Sequence, residues 1–435
     1  MIINDSKEKK NTVFIMRISI IIIFISFFFH IFIQYYQEKK NFFFFIEITK
    51  CFQQELQIDI LFYISYISII LNNHITYSII IVIIDNFTNL FITFLLFIIL
   101  YIGSYISLIL KLSIKDAPPY LNDDIKIYDC GLGWGLPSTE IIIFVIFVSI
   151  IFEIMNVYKD SINRVLKKII QICLIIYLLF ICVGNMIIGK HYFSQILFSL
   201  LFGFGISLFI ISLNINFKKG YILYSILTKT TLYLIFNIIL IIIAFVLYIY
   251  NIFQTPNNIE KKLCKSIKIE YQKNIFKETN GYFLLVNGSF LFLSIFLGNI
   301  FLYISLKMYL VYILDNDLNN FMQFNFNDLK TDLNTSTYSI IIDKDTKWNK
   351  TPKFKSFIRL FLSLIICAVS FLPYYLIKWD ENIFIIFSLK FCLSNILFYI
   401  GYFFISKIIY IKLHLINYTL FAEIEKGNEH LILNE

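Results

Sequence analysis

Charge is scarce in this chain. Only 15% of its 435 residues are charged, while 59% are hydrophobic and 19% aromatic. Such a balance excludes a soluble globular surface, because water would have to cover far more apolar area than folded soluble proteins present. Arginine is reduced to Arg17, Arg164 and Arg359, and the lysines behind the net charge of +8 are scattered over polar connections. No basic stripe interleaved with aromatics exists, which excludes a nucleic-acid footprint. The sequence also lacks a metal-ligand spacing, a glycine-rich phosphate loop ahead of a helix, a serine nucleophile elbow and an internal repeat. Neither a cofactor nor a metal is therefore expected. The seven cysteines are uninformative as a framework. Cys173, Cys182, Cys367 and Cys392 sit in apolar runs as small packing residues, and Cys51, Cys130 and Cys264 would share one side of the membrane with scope for a disulfide.

What is abundant is the long apolar run, rich in Ile and Phe. A helix crossing a bilayer needs about 20 consecutive apolar residues, and the chain supplies about ten such stretches. They are expected near Ile15 to Phe32, Ile60 to Ile84, Leu90 to Leu110, Ile141 to Val157, Ile169 to Ile188, Tyr192 to Leu213, Ile222 to Tyr250, Tyr282 to Leu314, Phe357 to Ile377 and Ile383 to Ile411. The second is interrupted by Asn72, Asn73 and His74, which suits a re-entrant half-helix followed by a short crossing. Residues 41–57 read as an interfacial segment. No small-residue cleavage site follows the first run, so it is expected to stay as an anchor. The fold class is thus all-α integral membrane.

Lys7, Lys9, Lys10 and Arg17 precede the first run and place the N-terminus in the cytoplasm by the positive-inside bias. Alternation then brings together, on the opposite face, three polar groupings. They are the segment from Lys111 to Tyr120, the segment from Gly133 to Glu140, and the turn from Gly184 to Leu197 that joins two spans. Polar groups at membrane helix ends are costly, so their convergence marks a candidate site.

These residues resemble the type 2 phosphatidic acid phosphatase superfamily. Its pattern is Lys, six residues, Arg-Pro; then Pro-Ser-Gly-His; then Ser-Arg, five residues, His, three residues, Asp. Lys111 and Pro119 match the first block, Pro137 and Ser138 open the second, and His191 follows Asn185 at the spacing of the third. The stretch Gly135 to Thr139 is similar to sphingosine-1-phosphate phosphatases, and His191 with Ser194 to Leu197 is similar to dolichyl diphosphatases. The resemblance implies a six-helix phosphatase-like core over residues 58–214, behind an N-terminal anchor and interfacial segment in 1–57. Residues 215–435 would add about four more spans around a polar loop near 315–355.

It implies further that His191 is the nucleophile, with Gln195 at the position of its orienting carboxylate and Glu140 at that of the histidine acid. Lys111, Ser138, Thr139 and Asn185 would contact the phosphate. Pro118 and Asn185 stand where the family has arginines, so two planar cationic clamps are missing and hydrolysis is expected to be impaired. The function implied is a multi-pass lipid phosphate phosphatase-like protein of the endoplasmic reticulum or another endomembrane, its site facing the lumen and its partner a phosphorylated membrane lipid. A catalytically inactive relative that binds a lipid or a partner, and a membrane transporter, are the alternatives.

One consequence of this orientation is directly measurable. The polar loop with the glycosylation sequons at Asn334 and Asn349 falls in the cytoplasm, so both sites should stay unmodified in a eukaryotic host; a glycan on either, seen as a mobility shift lost on deglycosylation, would invert the C-terminal topology.

Overall fold

The computed structural model describes residues 2–36, 42–55, 59–71, 74–85, 90–114, 134–157, 163–213, 353–377 and 392–413, with residues 116, 118, 119, 125, 234–240, 389 and 415 and isolated positions between 242 and 305. Every extended element among them is helical. In chain order these are α1 (Ile2–Tyr36), α2 (Phe42–Glu55), α3 (Asp59–Leu71), α4 (His74–Asp85), α5 (Leu90–Ile114), α6 (Thr139–Val157), α7 (Arg164–Ile188), α8 (Phe193–Leu213), α9 (Lys353–Ser370) and α10 (Leu372–Leu376). They are followed by α11 (Ser394–Ile400) and α12 (Ser406–Lys412), joined by the π-helical turn Gly401–Ile405. The all-α membrane class expected from the sequence holds.

Among the described residues five helices are long and apolar enough to cross a bilayer: Val13–Tyr35, Leu96–Ile114, Thr139–Asn156, Arg164–Ile188 and Phe193–Ser212. The second span is interrupted where the sequence suggested, as two separate helices, α3 and α4, of 13 and 12 residues. Each is shorter than a bilayer crossing requires, and the Asn pair between them belongs to the residue type that competes with helical backbone hydrogen bonds. The expected interfacial segment is helix α2. The expected spans at 222–250 and 282–314, the sequons, Cys130 and Cys264 fall wholly or largely outside the described residues. Cys51 and Cys173 are exposed free thiols, while Cys182, Cys367 and Cys392 are buried.

The chain divides into two compact units, the first including Met1–Thr76 and Ile99–Asn214, the second including Tyr77–Ile98 and Ser294–Glu435. In the first unit the polarity of a water-soluble helix is inverted. Along α1, Phe24, Phe28, Ile31 and Phe32 are exposed, whereas Ser19, Ser26 and His30 are buried. Ser19 and Ser26 satisfy themselves on the carbonyls of Met16 and Ile23 at 2.7 Å. Helix α7 likewise turns Val165, Leu166, Ile169, Ile172, Ile176 and Leu179 outward. A contiguous apolar exterior over a small-residue interior is what lipid surroundings favour.

Glycine sets how closely these helices approach. A Cβ at Gly203 in α8 would lie 3.2 Å from the Ile142 backbone of α6, and one at Gly205 would lie 2.7 Å from Ile23 of α1. Helix α8 is thereby seated between two neighbours at backbone distance. Helix α3 packs on α7, where the Tyr177 hydroxyl donates to the Ser68 carbonyl at 3.0 Å.

In the second unit Asp85, at the end of α4, is 1% exposed and ion-paired with Lys407 of α12, which is fully buried. Asp85 also accepts from the Tyr402 hydroxyl and from Thr93 Oγ1, the latter at 2.7 Å. Lys407 lies 4.8 Å from the Tyr402 ring centre. Arg359 of α9, also fully buried, donates to the Leu415 carbonyl and to Ser356, each at 2.9 Å. An aromatic packing of Phe97, Phe398, Tyr399 and Phe403 lies in the same unit.

Removing one partner of a buried ion pair strands the other charge, a loss of about 3–5 kcal/mol, whereas removing both is far milder. Lys407→Met should therefore lower the thermal midpoint of the detergent-solubilised protein sharply, and Asp85→Asn combined with Lys407→Met should restore most of it.

Candidate functional site

The site lies in the first unit, where α5 ends, α6 begins and α7 turns into α8. Lys111 occupies the last turn of α5, and Glu140 the first turn of α6, each the charge that the local helix dipole favours. Helix α7 stops at Gly189, which adopts φ 79°, a left-handed conformation that residues with a Cβ rarely take. The Gly189 amide donates to the Asn185 and Met186 carbonyls. The Asn185 carbonyl also accepts the amides of Lys190 and His191, at 2.9 and 3.3 Å. Asn185 thus acts here through its backbone, as the wrap that sets Lys190 and His191 at the helix end. Its side-chain nitrogen donates to the Ile181 carbonyl at 2.9 Å, and its Oδ1 is buried without a partner among the described residues.

Helix α8 opens with a one-sided cap. Gln195, three residues after Tyr192, accepts the Tyr192 amide at 3.0 Å, the side-chain half of a capping box. The Gln195 side-chain nitrogen donates to Asp116 at 2.9 Å. Asp116 in turn accepts the Gly135 amide on its carbonyl at 2.8 Å, which ties the segment after α5 to the segment before α6. A Cβ at Gly135 would lie 2.4 Å from the Gln195 nitrogen, so a larger residue here would displace the Gln195 amide. Helix α2 covers the turn, with Gln53 donating to the Ile187 carbonyl at 3.1 Å and Ile46 packing on Ile125 and Tyr192. The Ile187 carbonyl, at a helix C-terminus with no intrahelical donor, is satisfied in this way.

Ser138 is fully buried, and its amide donates to the Ser199 hydroxyl at 2.7 Å. That amide is therefore engaged within the protein, and the group left over is the Ser138 hydroxyl, which has no partner among the described residues. The Thr139 hydroxyl accepts from Ser107 at 2.7 Å. Pro118 is buried.

Two charged groups were not singled out by sequence motif. Lys190 ion-pairs with Glu140 at 2.5 Å, the two side chains being 14% and 22% exposed. Asp116 holds Gln195. The signal for each lay in the sequence: Lys190 adjoins His191, and Asp116 sits inside the block that begins at Lys111. What was missing was the topology that folds both inward.

His191 is 3% exposed. Burial is the first cause holding its ring well below the usual histidine value, and the charges of Lys111 and Lys190 add to it. The Gly135 backbone and the Gln195 side chain act the other way. The balance leaves a neutral imidazole whose Nδ1 is buried without a partner among the described residues. Lys111 is within electrostatic range of Glu140 and Lys190 as well as of His191. The structure thus brings Lys111, Glu140, Ser138, Asn185, His191 and Gln195 to one place and adds Lys190 and Asp116 to them.

A neutral buried histidine has a consequence for stability. Below about pH 6.5 the unfolded chain takes up a proton that folded His191 refuses, so its contribution is complete above that pH and is lost as pH falls. Thermal midpoints at pH 7.5 and 5.5 should show a drop for the native protein that His191→Gln reduces.

Comparison with known proteins bears on the same stretch. Residues 91–219 match the family model described as the PAP2 superfamily, a match that runs through α5, α6, α7 and α8 and contains every residue of the site named above except those of α2. No curated protein and no solved structure matches the chain significantly. With its ordered polar blocks at the ends of apolar helices, the stretch from 91 to 219 is a PAP2 superfamily domain, set in an all-helical chain whose apolar helices suit it to a membrane.

Proposed function

We propose that this membrane phosphatase-like protein binds the phosphate of a phosphorylated lipid between Lys111 and Lys190 and presents the His191 ring to the phosphorus. The observation that carries this reading is the buried His191, held neutral by burial and by the charges of Lys111 and Lys190. An imidazole that is deprotonated keeps the lone pair a nucleophile needs, and cations nearby offset the charge of the phosphoryl oxygens.

In the step this arrangement suits, a bond forms from a ring nitrogen of His191 to phosphorus while the bond from phosphorus to the lipid oxygen breaks. The electron pair leaves with that oxygen, which takes a proton to become the lipid alcohol. Water then cleaves the nitrogen–phosphorus bond and releases inorganic phosphate, returning the imidazole to its free state. Lys190 contributes a cation where the family pattern would place an arginine at Asn185, although as a point charge and not as a planar clamp.

Glu140 limits the rate. Ion-paired with Lys190, it is held away from the task of protonating the leaving oxygen, and it competes with phosphate for the same ammonium. Binding is accordingly stronger than turnover, and the ion pair is the observation that favours the second reading, a relative that holds a phosphorylated lipid without cleaving it. The cluster of Lys7, Lys9, Lys10 and Arg17 supports a cytoplasmic N-terminus and hence a site on the lumenal leaflet. Sphingoid, phosphatidate and polyprenyl phosphates all offer the same headgroup chemistry.

The test uses purified protein with lysophosphatidate, a sphingoid phosphate and a polyprenyl phosphate. Native turnover should be slow and abolished by His191→Ala; robust turnover surviving that change would place the chemistry elsewhere. Glu140→Gln should tighten inhibition by inorganic phosphate about tenfold by freeing Lys190, and Lys190→Met should weaken it by a similar factor. Glu140→His should raise turnover little by itself, because a proton donor helps only a phosphate already held in line.

A further inference from the structure

We propose that α2 is a lid over the turn that carries Lys190 and His191, and that the phosphate of a lipid reaches His191 only when α2 lifts. The inference rests on the reading of His191 as the nucleophile. Helix α2 lies outside residues 91–219, so the family match assigns it no part in the site.

The site is shut as it stands. Ser138 and Asn185 have no exposed surface and His191 is 3% exposed, so a phosphoryl group cannot come within bonding distance of the ring until some element moves. The Ser138 hydroxyl and Asn185 Oδ1 are moreover buried without a partner among the described residues. Polar atoms left in that condition are costly and favour a state in which water or a ligand reaches them.

Two attachments lay α2 across the turn. Gln53 donates to the Ile187 carbonyl at 3.1 Å, and Ile46 packs on Tyr192 and Ile125. Ile187 and Tyr192 flank Gly189, Lys190 and His191 in the chain, and positions seven residues apart on a helix are about 10.5 Å apart along its axis. Helix α2 therefore bridges both ends of the turn. Its buried side is the narrow stripe of Ile46, Thr49 and Gln53, while Glu47, Cys51, Gln54 and Glu55 are exposed. The Thr49 hydroxyl is spent within α2 itself, on the Phe45 carbonyl at 2.9 Å. Lifting α2 breaks neutral hydrogen bonding and a small apolar contact, whereas moving α8 would break packing that Gly203 and Gly205 set at backbone distance from α6 and α1. The least firmly packed element opens at the lowest cost, and here that element is α2. Water can serve the Ile187 carbonyl once Gln53 leaves it, because the polar outer side of α2 suits the boundary between membrane and water.

The experiment follows acylation of His191 by diethyl pyrocarbonate in full-length protein in lipid nanodiscs, read by mass spectrometry of the peptide that contains it. The reagent acylates unprotonated imidazole and needs no turnover. His30, buried against Phe198 of α8, serves as the internal reference. Gln53→Ala should speed labelling of His191 about three- to tenfold, and Ile46→Ala should speed it further, with His30 unchanged. Ile46→Cys with Tyr192→Cys, combined with Cys51→Ser and Cys173→Ser to remove the exposed thiols, permits a reversible bis-thiol cross-link that ties α2 to the turn. The link should halt both the labelling of His191 and the turnover of lysophosphatidate, and reductant should restore them. Equal labelling of His191 in native, Gln53→Ala and cross-linked protein would overturn the proposal. A rise that His30 shares would also overturn it, because α2 would then be a brace of the whole unit. So would labelling of the cross-linked protein that Glu140→Gln accelerates, which would put the opening at the Glu140–Lys190 ion pair. Labelling that responds as expected in a protein without any turnover would leave α2 a lid and count against the phosphatase reading alone.

Discussion

The carbonyl oxygen of Asn185 accepts the amides of Gly189, Lys190 and His191, and the rest of the site depends on that turn. A membrane helix leaves its last carbonyls without intrahelical donors, and in an apolar surrounding each such group is costly. Here the remedy is a tight wrap that only a left-handed Gly189 permits, with Gln53 of α2 serving the neighbouring carbonyl of Ile187. The same wrap turns the chain within a few residues into α8, which packs on α1 and α6. Satisfying the backbone and positioning Lys190 and His191 are one event.

A second consequence of the bilayer is that buried charge is given polar partners. Among the described residues of the second unit, Asp85, Lys407 and Arg359 are buried with hydrogen-bonding partners, and the exterior of the long helices is apolar. In the first unit Glu140 and Lys190 obey the same constraint. For a phosphate site that is a conflict, since the cation that would meet the ligand is already engaged by a carboxylate. The site's chemistry is therefore shaped as much by the Glu140 pairing as by the absence of arginine at Pro118 and Asn185.

The histidine illustrates how position outweighs identity. His30 and His191 are both buried, yet His191 stands between two lysines with Nδ1 unpartnered, whereas His30 packs its ring on Phe198 at 5.6 Å. Gln195 is likewise a capping residue by its bond to Tyr192 and a link to Asp116 by its nitrogen. Its value to the site comes from doing both in one fixed orientation.

The sequence by itself determined the membrane class, the course of α1, α5, α6, α7 and α8, and the ordered blocks around Lys111, Ser138 and His191. Hydrophobic run length and motif spacing are local properties, and a bilayer enforces them strongly. The sequence also marked the break in the run from Ile60 to Ile84, because Asn72, Asn73 and His74 interrupt the apolar residues where α3 gives way to α4. It did not reveal that the Ser138 amide is engaged by Ser199, that Lys190 faces Glu140, or that Asp116 backs Gln195. Those pairings join residues 50 to 79 positions apart, and no local pattern encodes which of several polar residues at helix ends will meet. The tertiary structure decided them, through glycines at positions 135, 203 and 205 that set how closely helices and connecting segments approach, and hence which side chains share a pocket.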